Sequence, residues 1–427
     1  MAGEWQDCAL ADLIDVKHGF AFQGRFISDE ACGDILLTPG NFSVGGGFKG
    51  EKFKYYNGPV PDDFVLNAGD LLVSMTDLSK QSDTLGYPAF VPHRTCDRQY
   101  LHNQRLGKVL LRNADTLDLR YLYYRLCAAD YRHEVLASAT GTTVKHTSPE
   151  RIRRFRFSLP PLPEQRAIAQ ILGTLDDKIE VNRRMNGTLE GMARALFQSW
   201  FVDFDPVRAK AEGRDPGLPK NIAELFPDGF EDSELGEIPR GWGVGRVDEE
   251  FDLTMGQSPP GYTYNETGEG LPFYQGRADF TFRFPMRRVY CTAPTRFAKQ
   301  GDTLVSVRAP VGDINMAGEE CAIGRGVAAV RHKSGSRSFT YYSMRSFEAA
   351  FAQFEAEGTV FGSISKRDFH NLPFIAPHEG LVAAFERLCG PLDAAIARNA
   401  HESRTLASLR DALLPKLVSG ELRVGDA

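Results

Sequence analysis

Sliding the chain against itself by 217 residues superimposes Gly141-Thr142 on Gly358-Thr359, Phe157 on Phe374, Pro160 on Pro377, Leu175-Asp176 on Leu392-Asp393 and Ile179 on Ile396. The same shift matches Asn182 with Asn399, Leu189 with Leu406 and Leu196 with Leu413, with no gap across more than fifty positions. Neighbouring shifts pair Tyr123-Tyr124 with Tyr341-Tyr342, and Gly69-Asp70-Leu71-Leu72-Val73-Ser74 with Gly301-Asp302-Thr303-Leu304-Val305-Ser306. A repeat this long makes the 427-residue chain two copies of one unit, so a single compact domain is excluded.

Each copy runs in the same order: a turn-rich globular segment, a proline break, and a long helix. Short β-rich runs such as Asp70–Met75, Lys108–Arg112, Thr303–Val307 and Gly326–Arg331 sit between Gly, Pro, Asn and Asp clusters, while Leu119–Leu136 and Thr340–Phe354 read as helices. The fold class is α+β and multidomain. Pro163 cannot continue a helix from its left but suits a first turn to its right. Beyond it Ile168, Leu172, Leu175, Ile179, Asn182, Asn186, Leu189, Ala193 and Leu196 fall at alternating steps of four and three, a coiled-coil seam. The second copy repeats the seam as Phe385, Cys389, Leu392, Ile396, Asn399, Ser403, Leu406, Arg410 and Leu413.

A narrow apolar stripe on a helix of about 37 residues cannot bury itself, so the two helices should pack on each other, with Asn182 and Asn399 either fixing the register as buried polar residues or facing solvent. Antiparallel pairing would hold the two globular domains apart about a pseudo-twofold axis; parallel pairing stays open. The boundaries read from this pattern are a first globular domain at 1–160, a central helix at 161–202, an acidic linker at 203–240, a second globular domain at 241–378, a C-terminal helix at 379–418 and a tail at 419–427.

Charge supports the division. The whole chain carries a formal −6, yet residues 92–166 hold 14 Lys and Arg against 7 Asp and Glu, and residues 277–345 hold 12 against 5, a net of +7 in each. Residues 212–252 hold 4 against 12, a net of −8. Two basic windows separated by an acidic one suit two surfaces that meet a polyanion, or three solvated faces. The seven cysteines are scattered with no CxxC pair, no apolar run reaches bilayer length and the start lacks the features of a signal peptide, so the chain is expected to stay in the cytoplasm, away from membranes.

Catalytic machinery is not apparent. The cluster Gly45-Gly46-Gly47-Phe48-Lys49-Gly50 runs into Glu51 rather than a phosphate-binding helix, and the nine histidines make no metal spacing. Ser258-Pro259-Pro260-Gly261-Tyr262 is close to a methyltransferase loop, but glycine stands where the stacking aromatic belongs. Asp62-Asp63 and Asp176-Asp177 read as surface pairs. Recognition hardware is present instead: Asn41, Arg105, Thr143 and Lys145 in the first copy, and Gln275, Arg277, Arg308, Arg325, Thr359 and Lys366 in the second, are residues that pair with phosphates or base edges.

Leu196-Phe-Gln-Ser-Trp-Phe-Val-Asp-Phe-Asp-Pro206, Leu235-Gly-Glu-Ile-Pro-Arg-Gly-Trp242, Ser306–Asp313 with Ile323–Val327, and Leu413-Leu-Pro-Lys-Leu-Val-Ser-Gly-Glu-Leu422 resemble the specificity (S) subunit of type I restriction–modification systems over essentially the whole chain. The resemblance implies two target-recognition domains, each reading one half of a split asymmetric sequence in double-stranded DNA, with the paired helices as a ruler. It implies partners: two modification (M) subunits that bind S-adenosylmethionine and methylate adenine at N6, and restriction (R) subunits that use ATP and Mg to translocate and cut DNA. The S chain then binds no cofactor and carries no catalytic residue. The competing reading is a coiled-coil scaffold that binds only proteins.

Overall fold

The computed structural model describes residues 4–77, 79, 83–356 and 362–424. It divides into two compact units, Met1–Val181 with Glu402–Ala427, and Asn182–His401.

In the first unit Leu71–Ser74 lies inside a four-stranded sheet in the order Ile14–His18, Leu106–Leu111, Leu71–Ser74, Pro88–Phe90. Successive strand residues point to opposite faces, and both faces here are covered. Leu71 and Val73 pack beneath Tyr121, Leu122 and Val135 of the helical layer, whereas Leu72 packs with Leu37, Phe42 and Tyr100 of a second sheet. That is why the run is apolar without alternation. The second sheet has the order Ile27–Ser28, Lys54–Tyr56, Asp34–Leu37, Tyr100–His102, Val65–Leu66, with one parallel pair, Tyr100–His102 beside Asp34–Leu37. Gln6–Ala9 pairs antiparallel with Arg156–Leu159, bringing the domain's start to the strand that precedes the long helix.

The second unit repeats this topology strand for strand. Its four-stranded sheet runs Phe251–Met255, Val327–His332, Thr303–Val307, Val311–Met316, and its five-stranded sheet Tyr264–Asn265, Tyr290–Cys291, Leu271–Tyr274, Cys321–Ile323, Phe297–Ala298. The parallel pair recurs as Leu271–Tyr274 beside Cys321–Ile323, and Gly243–Arg246 pairs with Pro373–Ala376. Val305 and Val307 face one core and Leu304 the other. The repeat in sequence is therefore a repeat of fold.

The central helix spans Leu162–Phe201 and the C-terminal helix Glu379–Ser419. Within the first unit Arg410 Nη1 lies 2.7 Å from Asp176 Oδ1 and Lys178 Nζ 3.3 Å from Glu402 Oε2. Within the second, Asn399 Nδ2 donates to Asn186 Oδ1 at 2.9 Å and the rings of Phe197 and Phe385 are 5.7 Å apart. In each unit the partner's number falls as the helix number rises, so the pairing is antiparallel and the parallel alternative is excluded. Leu172, Asn182 and Ile396 are buried, and Leu175, Ile179, Leu189, Leu196, Leu392, Asn399, Leu406 and Leu413 half-buried. Asn182 is fully enclosed, which rules out the solvent-facing alternative for this polar layer.

Residues 203–240 correct the expectation of a linker. They form short helices Asp205–Ala211 and Lys220–Ala223 and a hairpin of Phe230–Ser233 with Gly236–Pro239. Phe204, Val207, Ile222, Phe226 and Ile238 are buried with Trp200 and Trp242 in the core of the second unit, while the acidic side chains point outward. Among the described residues no helix is long and apolar enough to cross a membrane.

Candidate nucleic-acid interface

Where each arm leaves the four-stranded sheet, a glycine lets two backbones touch. A Cβ on Gly19 would stand 2.0 Å from the Asn103 carbonyl oxygen, and one on Gly256 would stand 2.2 Å from that of Gly324. No other residue fits such an approach. The two glycines lie 237 residues apart, a repeat register that the 217-residue alignment does not reach.

In the second unit this approach gathers five turns. Gln257 N–H donates to the Ile323 carbonyl at 3.0 Å, Gly324 N–H to Tyr274 at 2.8 Å, Val307 N–H to Gly326 at 2.9 Å and Ile364 N–H to Val307 at 3.1 Å. Gln275, Arg277, Arg308 and Arg325 stand exposed on these adjoining turns. Arg325 donates from N and Nε to Ser258 Oγ, each at 3.4 Å. Arg277 Nε lies 3.3 Å from Asp313 Oδ2, with the guanidinium largely in solvent, where an ion pair contributes little and is available for exchange. Burial pushes the Asp313 carboxyl up, Arg277 draws it down, and Glu355 raises it further, leaving it above the usual carboxylate range. Arg308 forms a β-bridge with Ser363, and Lys366, exposed at the start of Lys366–His370, follows in the same segment. Thr359 lies outside the described residues.

The first unit builds the same edge. Met75 N–H donates to the Arg105 carbonyl at 2.9 Å and Thr147 N–H to Met75 at 3.0 Å, so the turn of Arg105 and the strand Lys145–His146 flank one segment. Lys145 is paired with Asp77 across that strand and half-buried; Arg105 and Thr143 are exposed. Thr143 sits on the turn opened by Gly141, whose φ of +97° and a Cβ position 2.0 Å from the Val144 oxygen explain why glycine begins it. Burial opposes the Asp77 carboxylate, but Thr84, through side chain and backbone, and Ser79 donate to it and hold it below the usual range. It is an anchor for this edge rather than a contact.

Asn41 does not belong to the edge, and this corrects the sequence reading. Its side chain is buried: Oδ1 accepts from Thr38 N–H at 2.9 Å, and Nδ2 donates to the carbonyls of Lys49 and Lys52 at 3.2 and 3.0 Å. Every hydrogen-bonding site it would offer a base is committed to closing its own loop. Asp279 does the equivalent job in the second unit, accepting from Gln275 N–H at 2.7 Å. The sequence reading also missed Ser258 as the support of Arg325; the 237-residue register, Gly19 on Gly256 and Gly24 on Gly261, is the signal that aligns these arms. Among the described residues no cluster of His, Cys, Asp and Glu could hold a metal ion. The edges offer cations, amides and hydroxyls on rigid turns, the groups that contact phosphates and base edges.

Comparison with known proteins agrees with this chemistry. The family model described as the type I restriction modification DNA specificity domain matches residues 3–190. A Methanocaldococcus jannaschii protein described as the MjaX specificity subunit of a type I restriction enzyme is 30% identical over 380 residues, covering 84% of this chain and 80% of that protein. The HindI specificity subunit of a Haemophilus influenzae type I restriction enzyme is 25% identical over 372 residues, 73% of this chain and 79% of that one. The crystal structure of a type I restriction–modification S subunit from M. genitalium shares the fold, with a TM-score of 0.59 over 97% of this chain and 96% of that one at 17% identity.

Proposed function

The chain belongs to the type I restriction–modification DNA specificity family, and on that premise we propose that it reads a bipartite, asymmetric duplex target, one half-site for each of its two units. The observation that carries the proposal is the matched edge: one topology, built twice, presents different exposed side chains on equivalent turns. Arg105 and Arg325 occupy corresponding turns and each unit adds a lysine, Lys145 or Lys366, whereas Thr143 has no chemical match in Gln275, Arg277 and Arg308. A shared cation positions the backbone of either half-site; the unlike remainder reads unlike bases.

The antiparallel helices then act as the spacer. Partner subunits supply the chemistry: two M subunits bring S-adenosylmethionine for adenine-N6 methylation, and R subunits bring ATP- and Mg-dependent translocation and cleavage. This chain directs them and is not itself the enzyme. Exposed Met185 and Met192 on the central helix suit docking of such partners.

A gel-shift of the chain with its M partner tests the proposal. One bipartite duplex should be preferred over scrambled duplexes by at least about a thousandfold, with affinity falling steeply as salt rises. Equal affinity for all sequences refutes it, and copurifying partners without salt-sensitive DNA binding would establish a protein-only scaffold instead.

A further inference from the structure

Between the two sheets of each unit the chain makes a three-residue 3-10 turn, Gly24–Phe26 in the first and Gly261–Thr263 in the second, in the same 237-residue register as Gly19 and Gly256. The apex residues are Arg25 and Tyr262. Tyr262 is 90% exposed, more than any other large apolar side chain among the described residues. The turn beneath it is rigid: Thr263 donates through N–H and Oγ1 to the Pro260 carbonyl at 3.0 and 2.7 Å, Tyr264 Oη donates to Pro259 O at 2.6 Å, and Thr292 N–H donates to Thr263 O at 3.0 Å. The base of this arm is Ser258, the residue bonded to Arg325 on the candidate edge.

The first unit holds Arg25 in the same way. Phe26 N–H donates to Gln23 O at 3.1 Å, the Phe26 ring packs edge-on to Tyr56 at 5.9 Å, and the Arg25 guanidinium lies 4.7 Å from the Phe26 ring centre. Its arm is fastened to the turn of Arg105 by Gln104 N–H donating to Phe20 O at 2.9 Å. A tyrosine ring and an arginine fork are thus carried on one stiff device beside the turns that expose Arg325 and Arg105. None of the described residues covers the ring, and an aromatic held out in water on a preorganised turn suits a flat apolar partner.

We propose that Arg25 and Tyr262 are paired specificity-determining residues: Tyr262 lays its ring against a thymine methyl in one half-site, and Arg25 donates to the edge of a guanine in the other. The inference rests on the reading of the chain as a two-half-site DNA specificity subunit.

The test is methylation-sensitive sequencing of DNA from cells that express the full chain with its M partner, alongside gel-shifts of the same complex. Tyr262→Ala should relax base preference in one half-site only, with roughly a tenfold or greater loss of affinity for the parent target. Tyr262→Phe should keep that preference, and Arg25→Ala should relax the opposite half-site. Both side chains are exposed, so melting should not change. Variants that keep the parent preference at both half-sites overturn the inference. So does weakening that is equal across all sequences and lowers the salt slope, since that marks a phosphate contact. If the unaltered complex shows no bipartite preference, the functional reading itself fails and the two residues fall with it.

Discussion

Asn41 and Arg105 look alike in sequence, polar residues on turns, and behave as opposites. The Asn41 side chain closes four hydrogen bonds inside the fold, so Asn41→Ala should destabilise the first unit by about 1–3 kcal/mol in urea or thermal melts. Arg105→Ala and Arg325→Ala, both exposed, should leave stability within about 0.5 kcal/mol while weakening DNA binding. Residue type and turn position are legible in sequence, but the direction of a side chain is decided by how its loop closes, here by the carbonyls of Lys49 and Lys52 that come back onto Asn41. Two histidines carry a related message. Burial lowers the pKa of His102 to about 4, and burial with Lys333 nearby lowers that of His332 to about 4. Both are neutral when folded and charge more readily when unfolded, so the unfolded state binds more protons between pH 4 and the ordinary histidine value of about 6.5. Stability is full above that window and falls as pH drops through it. Melting temperature should therefore decline from pH 6.5 to 4, and the decline should be shallower in His102→Gln; an unchanged slope would remove this histidine from the account.

At the scale of elements, the matched pairs Tyr123-Tyr124 with Tyr341-Tyr342 and Leu175-Asp176 with Leu392-Asp393 prove to be two ends of one contact. Tyr124 Oη donates to Asp176 Oδ2 at 2.7 Å, and Tyr342 Oη donates to Asp393 Oδ1 at 3.3 Å, fastening a globular helix to a long one in each unit. Asp176, read from sequence as a surface residue, is half-buried in this joint. The cation that completes it has a different source in each copy and could not be read from the repeat. Arg410 of the C-terminal helix supplies it in the first unit. In the second it is Arg283, fully buried, 3.5 Å above the Tyr341 ring, paired with Asp393 and 3.9 Å from Glu190. Burial holds the Asp393 carboxyl above its usual range even with Arg283 pulling it down. Arg283→Met should leave the Asp393 carboxylate without its cation, while Glu190 keeps Arg345 at 2.6 Å, and should cost about 3–5 kcal/mol in urea unfolding, whereas Arg410→Met, at a partly exposed pair, should cost much less. A similar limit explains residues 203–240. Their charge was legible as an average, but the average concealed Phe204, Val207, Ile222, Phe226 and Ile238, whose spacing follows no single period because they belong to two short helices and a hairpin.

For the whole molecule, the repeat and the seam were legible because they rest on long-range periodicity, which single misread loops do not disturb; the antiparallel sense of the pairing was not, because an apolar seam packs either way and only the contacts across it fix the direction. The units change over at Val181/Asn182 on one helix and His401/Glu402 on the other, so each unit owns one end of both helices. These two points are where length can be added without cutting either core. Seven residues make nearly two helical turns, lengthening a helix by about 10 Å while rotating its face by only about 20°. A heptad that continues the apolar seam, inserted at both points, keeps Asn186 opposite Asn399 and leaves the Arg410–Asp176 pair intact. If the helices set the proposed spacing, the preferred target should gain about three base pairs between unchanged half-sites, at 3.4 Å each. A heptad in one helix alone has no partner for its seam and should cost stability rather than change the spacer. Methylation-sensitive sequencing with the M partner reads the spacer directly, and a double insertion that folds, binds and still selects the parent spacing would take the ruler role away from the helices while leaving each unit's reading of its half-site in place.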